Sequence, residues 1–299
     1  MKLPSPVARW SRSTRTKDRA EETTDGVRLL QQADTASVQA LVDADPVAHA
    51  FIDAQLIASG TVAPTSAAHY LGRFEHGLLV SACWVGSNVV PITHDAEEGA
   101  AFGRALPRQR RRFASIFGPS DAVLGLWDEL QAGRQRSFDV RERQPLMALR
   151  RAPGEGRANV VRRAWPTDYD YLLPACVAMF EEELGYSPLQ HGEAQYRARV
   201  DWLIRSGHAL VETDLAGGIL FKAELGVVTP RATQVQGVWM NPAFRGRGLA
   251  ASRMADVAAL ALEIAPTVSL YVNDYNERAL VTYERVGFEQ IGEFATVLF

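Results

Sequence analysis

The segment VQGVWMNPAFRGRGLA, at residues 235–250, constrains the fold more than any other part of the chain. Its first residues are β-prone, an Asn-Pro pair predicts a turn, and the following loop opens into an alanine-rich apolar stretch that predicts a helix at 249–264. At the start of such a helix, the free amides and the positive end of the helix dipole converge on one point. Gly246 and Gly248 carry no side chain that would keep a phosphate from the backbone, and the two arginines of the loop add positive charge. The segment therefore predicts an anion site that suits a pyrophosphate.

Strands and helices are mixed along the rest of the second half. Their patterns predict elements at 159–164, 169–184, 193–206, 208–213, 218–228, 232–240, 267–272 and 277–286, with a final strand that ends at Phe299. This order predicts an α/β domain with a mixed sheet, helices on its faces and a crevice at the strand ends.

The first half repeats this order of elements more faintly, which predicts a duplicated fold. At 299 residues the chain suits two domains of about 120–150 residues each. One proline and two glycines flanked by charged residues predict a linker at 151–158. We therefore divide the chain into a basic, disordered tail at 1–26, a first domain at 27–150 and a second domain at 159–299.

Composition excludes several classes of function. A formal net charge of −3 provides no global positive field for binding nucleic acid or an anionic membrane. The two cysteines lack CxxC spacing and the six histidines are scattered, so neither a disulfide framework nor a metal site is expected. No apolar run approaches the roughly 18 residues of a membrane span, and a reducing cytoplasm is the expected location. The basic residues before residue 20 could form an organelle-targeting peptide, but they show no amphipathic pattern, so a solvated tail is preferred.

A second motif, SLYVNDYNERALVTYERVGF, follows at 269–288 and has the pattern Asn-x-x-Ala…Tyr…Gly-Phe. Together with RGRGLA at 245–250, which fits the signature Gln/Arg-x-x-Gly-x-Gly/Ala, it resembles the GCN5-related N-acetyltransferases, the GNAT superfamily. The resemblance covers roughly 159–299. With a degenerate N-terminal copy, the whole chain resembles the tandem-domain, actinobacterial type of these acetyltransferases. The resemblance implies the GNAT fold, a mixed and mostly antiparallel central sheet flanked by helices, in two tandem domains.

The resemblance also implies that acetyl-CoA, or a close acyl-CoA, is the co-substrate and that no metal takes part. The implied cofactor-binding residues lie in the strand before the loop, in the loop itself and before the next helix: Val238, Met240, Arg245, Gly246, Arg247, Gly248, Leu249, Ala250 and Asn276. Tyr283 would protonate the leaving thiolate, because a phenol keeps its proton at neutral pH and can transfer it to a developing thiolate.

The sequence offers several candidates for the general base rather than one. Many members of the superfamily place a glutamate on the central strands, but the strand before the loop offers only Gln234 and Gln236, which cannot accept a proton at neutral pH. Glu224, on the preceding strand, is the first candidate. The others are the carboxylates at 181–183 and the chain's own carboxylate at Phe299.

The first half lacks a second loop of this kind. Where a duplicated domain would carry it, the sequence reads THDAEEG at 93–99, whose acidic side chains would repel a phosphate. We therefore expect one cofactor site per chain. The first half would line the acceptor cleft, or have a regulatory or dimer-forming role.

The hypothesis from the sequence is an N-acyltransferase that moves an acetyl group from the CoA thioester to a primary amine by direct attack in a ternary complex. The expected partner is a small-molecule or peptide amine, cationic because of the acidic net charge and the glutamates at 181–183. Nucleic acid and membrane are not expected, and a homodimer is considered. Two alternatives stay open: a weakly active acyl-CoA sensor or scaffold, since the strand lacks a glutamate, and transfer of an aminoacyl group to a peptide.

Overall fold

The computed structural model describes residues 26–106, 112–133, 135–153, 156–190 and 192–299, and the statements below concern these residues. The predicted basic tail lies outside them, apart from Gly26, which begins the first strand.

The described elements follow the predicted order. The first half contains β1 (Gly26–Leu29), α1 (Thr35–Ala44), α2 (Ala50–Ser59), β2 (His69–Glu75), β3 (Leu78–Val85), β4 (Asn88–Ile92), α3 (Ala96–Ala105), β5 (Ser115–Pro119), α4 (Ser120–Leu130) and β6 (Asp139–Leu149). The second half contains β7 (Arg162–Arg163), α5 (Tyr169–Leu184), α6 (Glu193–Arg205), β8 (Ala209–Thr213), β9 (Ile219–Val228), β10 (Thr233–Met240), α7 (Ala250–Leu262), β11 (Val268–Tyr271), α8 (Glu277–Val286) and β12 (Glu289–Leu298).

The strands of both halves form one sheet. Its twelve described strands lie in the order β1-β2-β3-β4-β5-β12-β6-β11-β10-β9-β8-β7. The pairs β4–β5 and β10–β11 are parallel, and the other neighbouring strands are antiparallel. The predicted fold class, an α/β arrangement around a mixed and mostly antiparallel sheet, is therefore confirmed.

The two halves exchange strands at the centre of this sheet. β12, from the second half, lies between β5 and β6 of the first half, and β6 lies between β12 and β11. The division at 150/151 stays a prediction, but the sheet is continuous across it. A first domain that ended at 150 would remove β6 from both of its partners, and unpaired strands in the middle of a sheet leave backbone groups without hydrogen bonds.

Each half places two helices on each face of the sheet. In the second half, α7 and α8 pack on the face that carries Phe221, Ala223 and Leu225. The α5 and α6 helices pack on the opposite face, with Ala209 and Val211, as the alternation of side chains along a strand requires. In the first half, α1 and α2 share one cluster and α3 and α4 share another. No described helix combines the length and apolar character that crossing a bilayer requires.

The first half also packs against the hairpin of β9 and β10 and stabilises it. Arg231, in the hairpin turn, donates hydrogen bonds to the carboxylates of Asp43 on α1 and Asp53 on α2. Beside these ion pairs, the hairpin and the first half share a small buried cluster of Val47, Ala50, Val227 and Ala232. The first half thus fixes the position of the two strands that lead to the glycine-rich loop.

Candidate active site

β10 contains a bulge just before the loop. Gln236 lies opposite Glu224 of β9, but Trp239 lies opposite Lys222, so β10 has one residue more than its partner between these pairs. Gly237 has a φ of +57° in this stretch, and a Cβ added there would lie 3.0 Å from Cδ of Glu224. Both the backbone angle and the space therefore require glycine. A bulge leaves its extra residue out of the ladder, so the backbone around Val238 is available to a ligand.

A crevice opens between β10 and β11. The two strands pair only through Thr233↔Val268 and Gln234↔Ser269, and beyond these pairs β10 diverges from β11. β11 meanwhile stays paired with β6 over its whole length. The crevice therefore lies beside the bulge, and the first half supplies the strand that supports its far wall.

The glycine-rich loop lies at the end of this crevice. Gly246 and Gly248 have φ angles of +74° and +72°, and a Cβ on either would meet no atom within 4 Å. The glycines thus satisfy backbone angles that other residues rarely adopt, and they keep the loop open. No side chain caps α7, and Arg253 N–H donates to the Leu249 carbonyl at 3.4 Å in its first turn. The preceding amides are those that a helix start leaves without intrahelical partners, as an anion site needs.

The two arginines of the loop contact the protein itself. The Nη2 atom of Arg245 donates to both carboxylate oxygens of Glu182, at 3.1 and 2.7 Å, and its Nε donates to the Met240 carbonyl at 2.8 Å. Arg247 donates to the Ala243 carbonyl at 2.9 Å, and its guanidinium lies 5.0 Å from the ring centre of Phe244. Glu182 also accepts a hydrogen bond of 3.1 Å from Trp239 Nε1. No pattern in the amino-acid sequence indicates the contact between Glu182 and Arg245.

Tyr283 lies on α8, in the buried cluster under α7, and only 8% of it is exposed. Its ring meets that of Phe288 edge-on, with centroids 6.0 Å apart. Burial, with a smaller contribution from the negative charge of Glu183, raises the pKa of Tyr283 to about 12. The phenol is therefore protonated at neutral pH, as a proton donor has to be.

Asn276 precedes α8 and caps it. Its Oδ1 accepts a hydrogen bond from Ala279 N–H at 3.3 Å. This is the capping contact that asparagine provides at a helix start. A capping Oδ1 leaves the amide NH₂ of the same side chain as a further donor.

Glu224 lies beneath the bulge, in an environment that does not suit the predicted role of general base. Its carboxylate accepts hydrogen bonds from Lys222 Nζ at 2.6 Å and from Arg199 Nη2 at 2.8 Å. Burial alone would raise the pKa of Glu224, but the charges of Lys222 and Arg199 outweigh burial and lower the pKa to about 2. A carboxylate with so low a pKa holds almost no affinity for a proton at pH 7. The sequence points to Glu224 but not to this pair of cations, because Arg199 comes from α6.

The other base candidates lie in different surroundings. Phe299 donates its N–H to the Ala114 carbonyl and packs against Phe113 and Trp127 of the first half, so its carboxylate is not a candidate for the crevice. The glutamates at the end of α5 lie nearer the site. Glu181 is exposed, Glu182 contacts the loop, and Glu183 accepts a hydrogen bond of 2.9 Å from Arg141 Nη1 of β6.

The described part of the first half has a similar crevice but no glycine-rich loop beside it. β4 and β5 pair only through Asn88↔Ser115 and Val89↔Ile116. The Asp95 side chain caps α3 by accepting from Glu98 N–H at 3.0 Å, which fills the place where an anion would bind. α3 and α4 are also in backbone contact, since a Cβ on Gly99 would overlap the Ala122 carbonyl oxygen. These features support the prediction of one cofactor site per chain.

Comparisons with known proteins identify two family matches along the chain. The sequence profile of the acetyltransferase (GNAT) family matches residues 176–288, and that of a domain of unknown function (DUF4081) matches residues 68–172. No curated protein matches the chain.

Several solved structures share the fold over almost the whole chain. A Drosophila protein is 13% identical, with 92% of this chain and 99% of that chain covered and a TM-score of 0.60. A GCN5-related N-acetyltransferase from Sphaerobacter thermophilus is 17% identical, with 91% and 94% covered and a TM-score of 0.58. An acetyltransferase of the GNAT family from Colwellia psychrerythraea is 13% identical, with 91% and 99% covered and a TM-score of 0.55. Residues 176–288 of this chain thus match the acetyltransferase (GNAT) family, and the chain as a whole has the fold of the solved GNAT proteins.

Proposed function

We propose that this protein is an acyl-CoA-dependent N-acyltransferase, with acetyl-CoA as co-substrate and a primary amine as acceptor. One observation carries the proposal: the bulge at Gly237, the crevice between β10 and β11, and the uncapped start of α7 follow one another along a single path. A thioester, a pantetheine arm and a diphosphate occur in the same order in acyl-CoA.

Each part of this path has a chemical task. The uncapped amides at 246–250 bind the diphosphate. The free edge of β10, including Val238 and Met240, pairs with the pantetheine amides as an added strand would. The backbone N–H at the bulge polarises the thioester carbonyl, and Asn276 contacts the pantetheine arm through its NH₂.

The reaction forms a bond between the acceptor nitrogen and the acyl carbon, and it breaks the bond between that carbon and sulfur. The leaving thiolate takes its proton from the Tyr283 hydroxyl. The attacking amine must be neutral when it reacts, and direct attack requires both substrates to be bound together. Glu224 does not receive the amine proton, because its pKa is held too low. We assign to Glu224 the task of supporting the bulge from below.

The acceptor is a cationic small molecule or peptide amine, which suits the two carboxylates at the end of α5 that lie beside the site, Glu182 and Glu183. Both cysteines, Cys83 and Cys176, are buried and free, which suits a reducing compartment such as the cytoplasm.

The test combines calorimetry with thiol release. We expect the full chain to bind acetyl-CoA and to release coenzyme A when a panel of amines is added. In G248V, a branched side chain at a φ of +72° disturbs the loop, and acetyl-CoA binding should fall at least about tenfold. The matched control is G60V, which introduces the same side chain at a φ of +68° in open space in the first half. An intact protein that binds neither coenzyme A nor its acetyl ester would refute the proposal.

A second function, an acyl-CoA sensor, is favoured by one observation, the ion-paired state of Glu224. Tight binding of acetyl-CoA without thiol release for any class of amine would support the sensor and exclude the enzyme.

A further inference from the structure

Arg245 is engaged on two sides by groups of its own protein. Glu182 binds its Nη2 with both carboxylate oxygens, and the Met240 carbonyl accepts from its Nε. Under the proposed function, Arg245 serves the diphosphate and Met240 serves the pantetheine arm. Binding of acyl-CoA therefore requires Arg245 to leave both partners.

The exchange is favourable because the existing ion pair is weak. The side chains of Arg245 and Glu182 are 45% and 44% exposed, and exposed ion pairs contribute little to stability. A diphosphate offers more negative charge than one carboxylate, and the amides of the loop bind it at the same time. Arg245 consequently moves from Glu182 to the diphosphate.

The departure of Arg245 leaves the Glu182 carboxylate without its cation. The carboxylate keeps its hydrogen bond to Trp239 Nε1, so it stays fixed on β10, two residues beyond Gly237. Trp239 packs with α5 and α6, whereas the loop helix α7 and Tyr283 lie on the opposite face of the sheet. The Glu182 carboxylate therefore lies on the α5 side of β10, and its side chain is 44% exposed, so an acceptor in solvent can reach it.

We propose that Glu182 binds a cationic group of the acceptor, and that Arg245 occupies this site until acyl-CoA draws it away. The inference rests on the proposed function and names its substrate class. A carboxylate stabilises the charged form of an amine, but the nitrogen that attacks the thioester must be neutral. Glu182 therefore holds a second cationic group, and the acceptor class is the diamines, polyamines and compounds with a lysine-like chain beside another cation.

The experiment compares E182Q with E181Q in the full chain. E181Q is the matched control because Glu181 is an exposed neighbour on the same helix and has the same charge. Calorimetry gives the Kd of acetyl-CoA. Thiol release gives the KM values for two acceptors, the diamine cadaverine and the monoamine pentylamine, which has the same carbon chain but lacks the second cation.

In E182Q, we expect acetyl-CoA to bind about threefold to tenfold more tightly, because Arg245 has lost its competing partner. The KM for cadaverine should rise at least about tenfold, as expected for the loss of a charge-assisted hydrogen bond, while that for pentylamine stays within about twofold. With the wild-type chain, cadaverine should bind about threefold to tenfold more tightly when coenzyme A is present, because Arg245 then no longer competes for Glu182.

The inference is overturned if E182Q keeps the wild-type Kd and cadaverine KM, or if cadaverine binds equally well with and without coenzyme A. In both cases the proposed function still stands, provided that thiol release occurs. A wild-type chain that binds no acetyl-CoA would overturn the function and the inference together.

Discussion

The Arg141 guanidinium donates a hydrogen bond of 2.9 Å to the Glu183 carboxylate, and the two residues come from different halves of the chain. Arg141 lies on β6, which the first half inserts between β11 and β12, and its side chain is only 8% exposed. Glu183 lies near the end of the helix beside the crevice. The first half is thus part of the structure that surrounds the candidate site.

The predicted second domain, 159–299, should not fold by itself. Without β6, both β11 and β12 lose a partner in the middle of the sheet. We expect the isolated fragment to lack a cooperative unfolding transition by circular dichroism. As a control, a protease site inserted between 151 and 158 and then cut should leave both pieces associated and folded. An isolated fragment that unfolds cooperatively and binds acetyl-CoA would contradict this prediction.

Substitution of Gly237 by alanine should destabilise the protein by about 2–4 kcal/mol, because positive φ and a crowded Cβ act together. The added Cβ would lie 3.0 Å from Cδ of Glu224 and 3.3 Å from Nζ of Lys222. G60A is the control, since Gly60 has a similar φ of +68° but open surroundings, and it should cost only about 1 kcal/mol. Urea unfolding measures both values. Equal losses in the two variants would show that the contact with Glu224 has no effect.

E224Q should lower stability without changing the basic limb of the pH–rate profile. Removing one partner of a buried ion pair costs about 3–5 kcal/mol, since Lys222 and Arg199 lose their anion. The folded pKa of about 2 lies below the ordinary value of 4.5, so the stabilisation is complete above pH 4.5 and is lost as the pH falls towards 2. Urea unfolding should therefore show a difference from wild type at pH 7 that shrinks on acidification. A flattened basic limb in E224Q would restore Glu224 as the base.

Y283F should lower kcat by about 10²–10⁴-fold, the usual effect of losing a general acid. The Kd of acetyl-CoA should stay within about twofold, because the ring still packs against Phe288. The pKa of about 12 also predicts that Tyr283 causes no loss of activity below pH 10. Y171F, an exposed tyrosine on α5, is the control and should retain full activity. A Y283F enzyme with wild-type kcat would exclude the phenol as the proton donor.

The features that depend on residues close together in the chain could be predicted from the sequence. The loop at 245–250 has positive φ at both glycines, and helices α5 to α8 of the second half occur where the apolar periodicity indicates them. These features depend on residues close together in the chain, so their patterns are visible without a structure.

The features that depend on distant residues could not be predicted. The exchange of β6 and β12 follows from pairing between strands about 150 residues apart, and nothing in either strand specifies its neighbour. The strand pattern by itself suggests Glu224 as a base, whereas its pKa is set by Arg199 of α6 together with Lys222. The contact of Arg245 with Glu182 also joins elements far apart in the chain.

The position of β12 has a consequence for synthesis on the ribosome. The first half emerges complete up to β6 long before residues 289–298 exist, yet its sheet has an empty place between β5 and β6 until they arrive. The nascent chain must therefore wait, with two central strand edges unpaired, until these ten residues leave the exit tunnel. Deletion of this strand would open the sheet in its middle, between β5 and β6, rather than shorten it at an edge.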